Sequence, residues 1–254
     1  MTQSRRALVT GAAAGLAAGI APALARDGFA HIAITYRTTS PDATLAAIEA
    51  AGVSASAARV DFFDDPAAIV HALDELVRAH GPFDTLVHAV GPLTVKRFER
   101  LTAADYQEIF DGNVRSAVLA TQAVLPAMRV ARFGRLIFFG SLDAAETRPF
   151  RGFSLYGAAK SALTSFARTL AVEEARHGIT VNVVVPGDIR EKTSDRAAAR
   201  EVVGRSPRGR SGSYEDVADV VRFLAAPDRD FVTGAVIAVT GGLTQADERN
   251  EPSQ

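Results

Sequence analysis

The 254-residue chain contains no cysteine and no tryptophan, and its few histidines are scattered. The absence of cysteine excludes disulfides, thiol nucleophiles and cysteine-ligated metals. It also fits a reducing compartment, so we expect a cytoplasmic protein. No two histidines have the spacing of a metal-binding motif, and we therefore predict no metal site. The five histidines are His31, His71, His80, His88 and His177.

The chain also lacks an excess of charge of either sign. Its net charge is −1, which gives no whole-chain attraction to nucleic acid or to an anionic membrane surface. Outside the N-terminal region no apolar run is long enough to span a bilayer. Linkers, repeats and low-complexity segments are missing too. We therefore predict one domain over residues 1–254, with a polar tail over 244–254.

The N-terminal region has two interpretations. Arg5-Arg6 before an alanine-rich stretch that ends in Ala23-Leu24-Ala25 is similar to a twin-arginine signal. Glycines and a proline interrupt this stretch, and we prefer to interpret 6–10 as a strand, 11–17 as a turn and the residues to about 26 as a helix. Unpaired N–H groups and a positive dipole end at such a helix N-terminus favour phosphate binding.

Strands and helices alternate along the rest of the chain. Strands are predicted at 31–36, 55–60, 84–88, 134–140, 179–185 and 235–239, and helices at 42–51, 66–79, 103–128 and 155–176. The strand over 134–140 is continuously apolar, as expected when both faces are covered. The alternation predicts an α/β fold with a doubly wound, seven-stranded parallel sheet and helices on both faces.

Parallel sheets bind ligands at the carboxyl ends of their strands, and six predicted strand ends are followed by candidate residues. In strand order these residues are Gly11 with Gly15, Arg37, Asp61, Gly91, Ser141, and Pro186 with Gly187. Their agreement predicts a single ligand site along one edge of the sheet.

Tyr156 and Lys160 open the long predicted helix over 155–176. Residues four apart lie on the same face of a helix, so the phenol and the ammonium are expected side by side. A nearby ammonium favours phenolate, which should lower the tyrosine pKa from its usual value of about 10. A tyrosine tuned in this way can exchange a proton near neutral pH.

The chain resembles a classical short-chain dehydrogenase/reductase over essentially its full length. The turn over 10–17 is similar to the family's Thr-Gly-x3-Gly-x-Gly motif, and 232–234 and 241–242 are similar to its C-terminal signature. The family's Asn-Ser-Tyr-Lys tetrad and Pro-Gly pair match Asn113, Ser141, Tyr156, Lys160, Pro186 and Gly187. The resemblance implies a Rossmann fold, an NAD(P) cofactor, hydride transfer between carbonyl and alcohol, and usually a homotetramer.

Four features depart from the family's pattern. Ala17 stands at the third glycine, and His88-Ala89-Val90-Gly91 stands for Asn-Asn-Ala-Gly, so that only the last glycine matches. Ser141 lies fifteen residues before Tyr156, which leaves room for a small insertion around 148–153. The threonine expected soon after the Pro-Gly pair is displaced to Thr193.

The resemblance also implies a role for each tetrad residue. Tyr156 protonates the carbonyl oxygen, and Ser141 donates a second hydrogen bond to it. Lys160 lowers the tyrosine pKa and holds the nicotinamide ribose, while Asn113 binds a water that passes protons from solvent to Lys160. Cofactor contacts are expected at Gly11, Ala14, Gly15, Leu16, Tyr36, Arg37, Thr38, Asp61, Phe62, Ala89, Gly91, Tyr156, Lys160, Pro186, Gly187 and Ile189.

The end of the second strand governs the choice of cofactor. An acidic residue there would bind a ribose 2′-hydroxyl and favour NAD, but this chain has Tyr36-Arg37-Thr38-Thr39-Ser40. An arginine beside hydroxyl groups suits a 2′-phosphate, and we therefore predict NADPH over NADH. Asp61 is expected at the adenine amine, with Phe62 beside it.

The substrate is less sharply indicated. An expected flap over 188–212 is basic, which suits either a phosphopantetheine thioester on an acidic acyl carrier protein or simply a solvated surface. Its cations are Arg190, Lys192, Arg196, Arg200, Arg205, Arg208 and Arg210, and Arg132 and Arg135 add to them. The most similar subfamily is 3-oxoacyl-(acyl carrier protein) reductase, of fatty acid biosynthesis. The alternatives are an NAD-linked dehydrogenase of a sugar alcohol or hydroxysteroid, and a non-catalytic nucleotide sensor.

Overall fold

The structure, a computed structural model, describes residues 4–142 and 151–243. Seven parallel strands lie within these residues and form one sheet. They are β1 (Arg5–Thr10), β2 (Phe29–Tyr36), β3 (Ser54–Arg59), β4 (Thr85–His88), β5 (Gly134–Phe139), β6 (Ile179–Pro186) and β7 (Val236–Val239). The predicted doubly wound parallel sheet is therefore confirmed.

Helices connect the strands. They are α1 (Gly15–Leu24), α2 (Asp42–Ala50), α3 (Pro66–His80), α4 (Ala103–Phe110), α5 (Ser116–Ala131), α6 (Ser154–Glu174), α7 (Arg196–Arg200) and α8 (Tyr214–Ala225). Single 3-10 turns at Ala25–Asp27, Phe98–Arg100 and Ala175–His177 complete the connections.

The strand order is β3-β2-β1-β4-β5-β6-β7. The chain therefore places β2 and β3 on one side of β1. It then crosses back to place β4 on the other side of β1 and continues outward to β7. Because β1 and β4 are neighbours whose crossovers lie on opposite faces, a crevice opens between their carboxyl ends.

Two apolar cores cover the two faces of the sheet. In β1, Leu8 packs into one core, whereas Ala7 and Val9 pack into the other. Successive side chains of a strand point to opposite faces, so a strand buried on both faces must be apolar throughout. Helices α3, α5 and α6 cover the first core, and α1, α2 and α8 cover the second.

Three elements differ from the sequence-based expectation. The helix predicted over 103–128 contains a π-helical turn at Asp111–Arg115 and continues to Ala131. Helices α7 and α8 are not predicted, although Ser213 and Asp216 form a capping box at the start of α8. Its Tyr214 ring packs so closely on α1 that a Cβ at Gly19 would lie 2.4 Å from it.

Some expectations fall outside the described residues. They include the polar tail over 244–254 and residues 148–150 of the expected insertion around 148–153. None of the helices in the described ranges combines the length and the apolar composition needed to cross a bilayer.

Candidate active site

The crevice at the carboxyl ends of β1 and β4 is a cleft of about 310 Å³. Gly11 adopts a φ of +67°, and a Cβ there would lie 3.2 Å from Val90 across the crevice. The cleft lining combines the glycine turn with the ends of β2, β3 and β4: Gly11, Ala13, Ala14, Thr35, Tyr36, Arg37, Thr38, Thr39, Val60, Phe62, Phe63, Ala89, Val90, Gly91, Pro92 and Glu108.

The N-terminus of α1 is open toward this cleft. Ala14, its N-cap, is extended, and within the described chain no side chain caps the helix. The first turn also carries no acidic residue. Uncapped N–H groups and the positive end of the helix dipole make an anion site. Leu16 and Ala17 of the same turn pack into the core below.

Lys192 of the flap lies beside this helix terminus. A Cβ at Gly15, whose φ is +64°, would contact the Lys192 Cδ at 3.9 Å. The turn that carries Lys192 is held by Ser194, whose carbonyl accepts the Tyr214 N–H at 3.3 Å. The flap thus brings the side chain of Lys192, an exposed residue, close to the N-terminus of α1.

The end of β2 presents Arg37 to the cleft. Its guanidinium lies 4.9 Å from the centroid of the Phe63 ring, a cation–π distance. The Arg59 side chain donates a hydrogen bond of 3.1 Å to the Arg37 carbonyl. The backbone of this loop is thereby tied to the end of β3, while Thr38 and Thr39 line the same part of the cleft.

Asp61 and Phe62 follow β3. The Asp61 carboxylate accepts a hydrogen bond from the Phe63 N–H at 3.1 Å. Phe62 is buried and also lines the cleft. Phe62 thus lines the cleft together with Phe63, which was not predicted, whereas Asp61 is not among the lining residues; their contacts with adenine stay a prediction.

Lys160 and Tyr156 lie together on α6. The Lys160 Nζ is 5.8 Å from the centroid of the Tyr156 ring, and the Phe153 ring contacts that of Tyr156 edge-on at 5.7 Å. Lys160 is buried and donates a hydrogen bond of 2.7 Å to the Phe139 carbonyl at the end of β5. Burial lowers the Lys160 pKa to about 8, because a desolvated ammonium is disfavoured.

Asn113 lies in the π-helical turn and is fully buried. Its Nδ2 donates to the carbonyls of Pro92 at 3.0 Å and Ile109 at 2.9 Å. Its Oδ1 has no hydrogen-bond partner among the described residues. A Cβ at Gly91 would lie 2.7 Å from this Oδ1 and 2.9 Å from the Lys160 Nζ. Two polar atoms that close to one point can share a bridging water.

The ends of β5 and β6 complete the edge. Ser141 lies two residues beyond the end of β5 and is half-buried. Pro186 ends β6 and is followed by Gly187, where a Cβ would lie 2.6 Å from the Thr240 Cα. The Ile189 side chain packs beside Gly212, so the base of the flap is fixed.

The structure corrects the predicted basic surface. Arg135 is 1% exposed and donates to backbone carbonyls, including that of Pro227 at 2.8 Å, so it adds nothing to the surface charge. It lies on β5, where both faces of the sheet are covered. In the flap, three of the predicted cations form ion pairs: Arg190 with Asp188, Arg196 with Asp216 and Asp219, and Arg210 with Asp216.

Comparison with known proteins assigns the chain to a family. A family model described as enoyl-(acyl carrier protein) reductase matches residues 11–244. The 3-oxoacyl-[acyl-carrier-protein] reductase of Escherichia coli (strain K12) is 33% identical over 245 residues, which cover 95% of this chain and 98% of that protein. The chain belongs to the short-chain dehydrogenase/reductase family.

Other members of the family carry other activities in their names. Gluconate 5-dehydrogenase of Gluconobacter oxydans is 30% identical over 244 residues, 94% of either chain. The crystal structure of acetoin dehydrogenase from Enterobacter cloacae matches with a TM-score of 0.85 at 28% identity, covering 99% of this chain and 100% of that one. This short-chain dehydrogenase/reductase is therefore an oxidoreductase that acts on alcohol or carbonyl groups with a nicotinamide dinucleotide.

Sequence reasoning missed four residues of this short-chain dehydrogenase/reductase site, one of which is Phe63, beside Arg37 in the cleft. Lys192 was counted only as one of the flap cations, Arg59 was not singled out, and His88 was noted only as a departure from the family pattern. Register along the sheet could have indicated Arg59, since it pairs with Tyr36 in the next strand. The contacts of Lys192 and His88 depend on tertiary packing and left no local signal.

Proposed function

We propose that this enzyme is an NADPH-dependent carbonyl reductase whose substrate is a 3-oxoacyl thioester. The observation that carries the cofactor assignment is the end of β2, where Arg37 faces the cleft and no acidic residue stands. A guanidinium suits the 2′-phosphate of NADPH, whereas the ribose 2′-hydroxyl of NADH requires an acceptor.

The residues present fit such a dinucleotide. The uncapped N-terminus of α1 suits the diphosphate, since its N–H groups need an acceptor. Asp61 and Phe62 would hold the adenine, and Lys160 the nicotinamide ribose. Gly187 and Ile189 would line the nicotinamide at the base of the flap, with Pro186 before them.

When bound, the reduced nicotinamide supplies a hydride to the carbonyl carbon. As negative charge builds on the carbonyl oxygen, the Tyr156 hydroxyl donates its proton to that oxygen. Ser141 donates a second hydrogen bond there, a contact of this kind being worth about 3 kcal/mol. The ammonium of Lys160 stabilises the tyrosinate that remains.

Asn113 helps to return a proton to Tyr156 after each turnover. Its unsatisfied, buried Oδ1 requires a hydrogen-bond donor, and the Lys160 Nζ is close enough for one bridging water. Such a water connects Lys160 to solvent, so Tyr156 can be reprotonated through the lysine after each turnover.

The acyl thioester assignment rests on the flap and on the relative that bears this activity in its name. Arg200, Arg205 and Arg208 are exposed and form no ion pair within the described residues, which leaves them available to an acidic carrier protein. The homotetramer expected from the family resemblance is part of the same proposal.

The cofactor is tested by measuring the dissociation constants of NADPH and NADH by fluorescence. We expect NADPH to bind at least tenfold more tightly. Arg37→Ala should weaken NADPH binding roughly tenfold, as for a lost charge-assisted hydrogen bond, and leave NADH unchanged. Tighter binding of NADH by the wild-type protein would contradict the proposal.

The substrate is tested by following NADPH oxidation with acetoacetyl thioesters, diketones and quinones. Acetoacetyl thioester should give the highest kcat/KM. A second candidate is an NAD-linked dehydrogenase of a secondary alcohol, which the gluconate 5-dehydrogenase and acetoin dehydrogenase likenesses favour. Turnover of a sugar alcohol or acetoin with NAD, and none with the thioester, would select it.

A further inference from the structure

His88 lies in a continuous chain of hydrogen bonds that the proposed chemistry does not use. The Ala89 N–H donates to the Thr10 Oγ1 at 3.1 Å, and the Thr10 Oγ1 lies 2.9 Å from the His88 Nδ1. On the other side of the ring, the His88 Nε2 lies 3.0 Å from the Ser116 Oγ, which donates to the Gly112 carbonyl at 2.6 Å. The chain thus joins the ends of β1 and β4 to the π-helical turn.

The direction of each bond follows from proton counting. The Ser116 hydroxyl has one proton and gives it to a carbonyl, so it must accept the proton of the His88 Nε2–H. The Nδ1 is then the acceptor of the Thr10 hydroxyl, whose oxygen accepts the Ala89 N–H. Every member of the chain is satisfied, and the imidazole is neutral in a single tautomer.

The ring is also fixed by packing. His88 is 1% exposed, with the rings of Phe62 at 5.7 Å and Phe138 at 6.2 Å set edge-on to it. Burial, together with the positive charge of Lys160, lowers the His88 pKa to about 3, so the ring stays neutral throughout the working pH range. Neither ring nitrogen can turn toward the cleft without breaking a buried hydrogen bond.

The other end of the chain is the turn that carries Asn113. In this turn the Ser116 N–H donates to the Asp111 carbonyl, five residues earlier, and the Ser116 hydroxyl donates to the Gly112 carbonyl. A π-helical turn gives up regular i→i−4 bonding and needs other contacts to keep its shape. Gly112 directly precedes Asn113, so holding its carbonyl also holds the Asn113 side chain.

We propose that His88 is a positioning residue, which ties the π-helical turn to the sheet and so sets the Asn113 Oδ1 beside the Lys160 Nζ. The proposal rests on the proposed function, because the placement matters only if a water shared by these two groups returns protons to Tyr156. His88 touches neither substrate nor cofactor in this role. It replaces the asparagine of the family's pattern with a side chain that bonds at both ends.

Ser116→Ala tests the tether, because it removes the link to Gly112 with the smallest change in volume. Thr121→Val is the matched control: Thr121 is buried on the same helix and donates in the same way to the Ala117 carbonyl at 2.7 Å, away from His88. Both variants lose one buried hydroxyl, but Ser116→Ala also leaves the His88 Nε2–H without its acceptor, so its loss of thermal stability should be the larger of the two. Ser116→Thr keeps the hydroxyl and should retain wild-type values.

The first readout is the NMR titration of the Lys160 Cε in the protein without cofactor. Loss of the shared water should lower the Lys160 pKa below its wild-type value in Ser116→Ala and in Asn113→Ala, but not in Thr121→Val. This readout does not depend on turnover. An unchanged Lys160 pKa in Ser116→Ala would overturn the positioning role, even if the enzyme proves active on a carbonyl.

The second readout is a double-mutant cycle on kcat at saturating NADPH. Ser116→Ala alone should lower kcat roughly tenfold, as for a modest misplacement of a reacting group, with the NADPH dissociation constant unchanged. In the Asn113→Ala background the same change should cost less than about twofold. Equal losses in both backgrounds would overturn the proposal, whereas absence of any carbonyl turnover in the wild type would instead overturn the proposed function.

Discussion

At the residue scale, the site depends on one buried cation. The Lys160 Nζ has a backbone carbonyl at 2.7 Å and the Tyr156 ring within 5.8 Å, and it is shielded from bulk water. The Lys160 pKa of about 8 means that the ammonium can lose and regain a proton near physiological pH. A proton relay through Lys160 is therefore energetically accessible without any metal or acidic residue.

Tyr156→Phe separates chemistry from cofactor binding. The variant lacks the hydroxyl that we propose as the proton donor to the carbonyl oxygen, so kcat should fall by about 10² to 10⁴. The NADPH dissociation constant should stay within about twofold, since the ring and Lys160 remain. Stopped-flow reduction and fluorescence titration measure the two quantities. Retained turnover would exclude Tyr156 as the proton donor.

His88 gives the protein a specific acid sensitivity. Its pKa is about 3 in the folded chain against 6.5 for an ordinary histidine, so unfolding takes up a proton at any pH between these values. The free energy of unfolding should therefore fall as the pH falls from 6.5 toward 3. Urea unfolding of the wild type at pH 7 and pH 5 should show this loss.

His88→Gln cannot titrate in this range and should show a smaller loss of stability between pH 7 and pH 5. His71→Gln is the control, because His71 is exposed on α3 and should leave the wild-type difference unchanged. The same pH dependence in His88→Gln and wild type would assign the acid sensitivity to other groups.

At the element scale, the flap over 188–212 is anchored at its base and carries a lysine toward the cofactor cleft. Asp188 anchors its base, since its carboxylate accepts the Arg205 N–H at 2.8 Å and its carbonyl accepts the Gly212 N–H at 2.9 Å. The following turn carries Lys192 to the N-terminus of α1. The cofactor's diphosphate would thus lie between a helix dipole and a cation from a distant segment.

Lys192→Ala should weaken the binding of NADPH and of NADH by the same factor. We expect roughly two- to fivefold, because an exposed ion pair contributes little free energy. Adenosine 2′-monophosphate lacks the diphosphate, and its dissociation constant should not change. Arg200→Ala, an exposed cation of the same flap, serves as the control. A loss seen with NADPH but not NADH would place Lys192 at the 2′-phosphate instead.

At the scale of the whole molecule, charge is balanced but unevenly placed. Although the net charge is only −1, the flap is rich in arginines. Some of them pair with neighbouring carboxylates, and others face solvent. Long-range attraction to an acidic partner depends on the solvent-facing ones and is screened by salt beyond about 10 Å at 0.1 M.

Salt therefore distinguishes carrier-bound from small substrates. Raising the ionic strength tenfold should lower kcat/KM for an acyl carrier protein thioester several-fold, because steering is lost. The same thioester on a small thiol should respond little. The double variant Arg205→Ala and Arg208→Ala should abolish the difference. Equal salt responses of the two substrates would exclude docking of a carrier protein on the flap.

Much of the molecule follows from local sequence alone. Apolar strands alternating with amphipathic helices require a doubly covered parallel sheet, and helical spacing places Tyr156 and Lys160 on one face. The glycine turn also predicts the open N-terminus of α1, because the backbone conformation of a glycine and its lack of a side chain are local properties.

Only the tertiary structure decided the rest. The bond of Asn113 to the Pro92 carbonyl, the packing of Arg37 on Phe63, the bond of Arg135 to the Pro227 carbonyl and the bond of His88 to Ser116 join segments tens of residues apart. No periodicity records such contacts, because each depends on how separately stable elements pack. The sequence therefore determined the sheet and the residues at its strand ends, and packing determined which further groups join them and how each one is held.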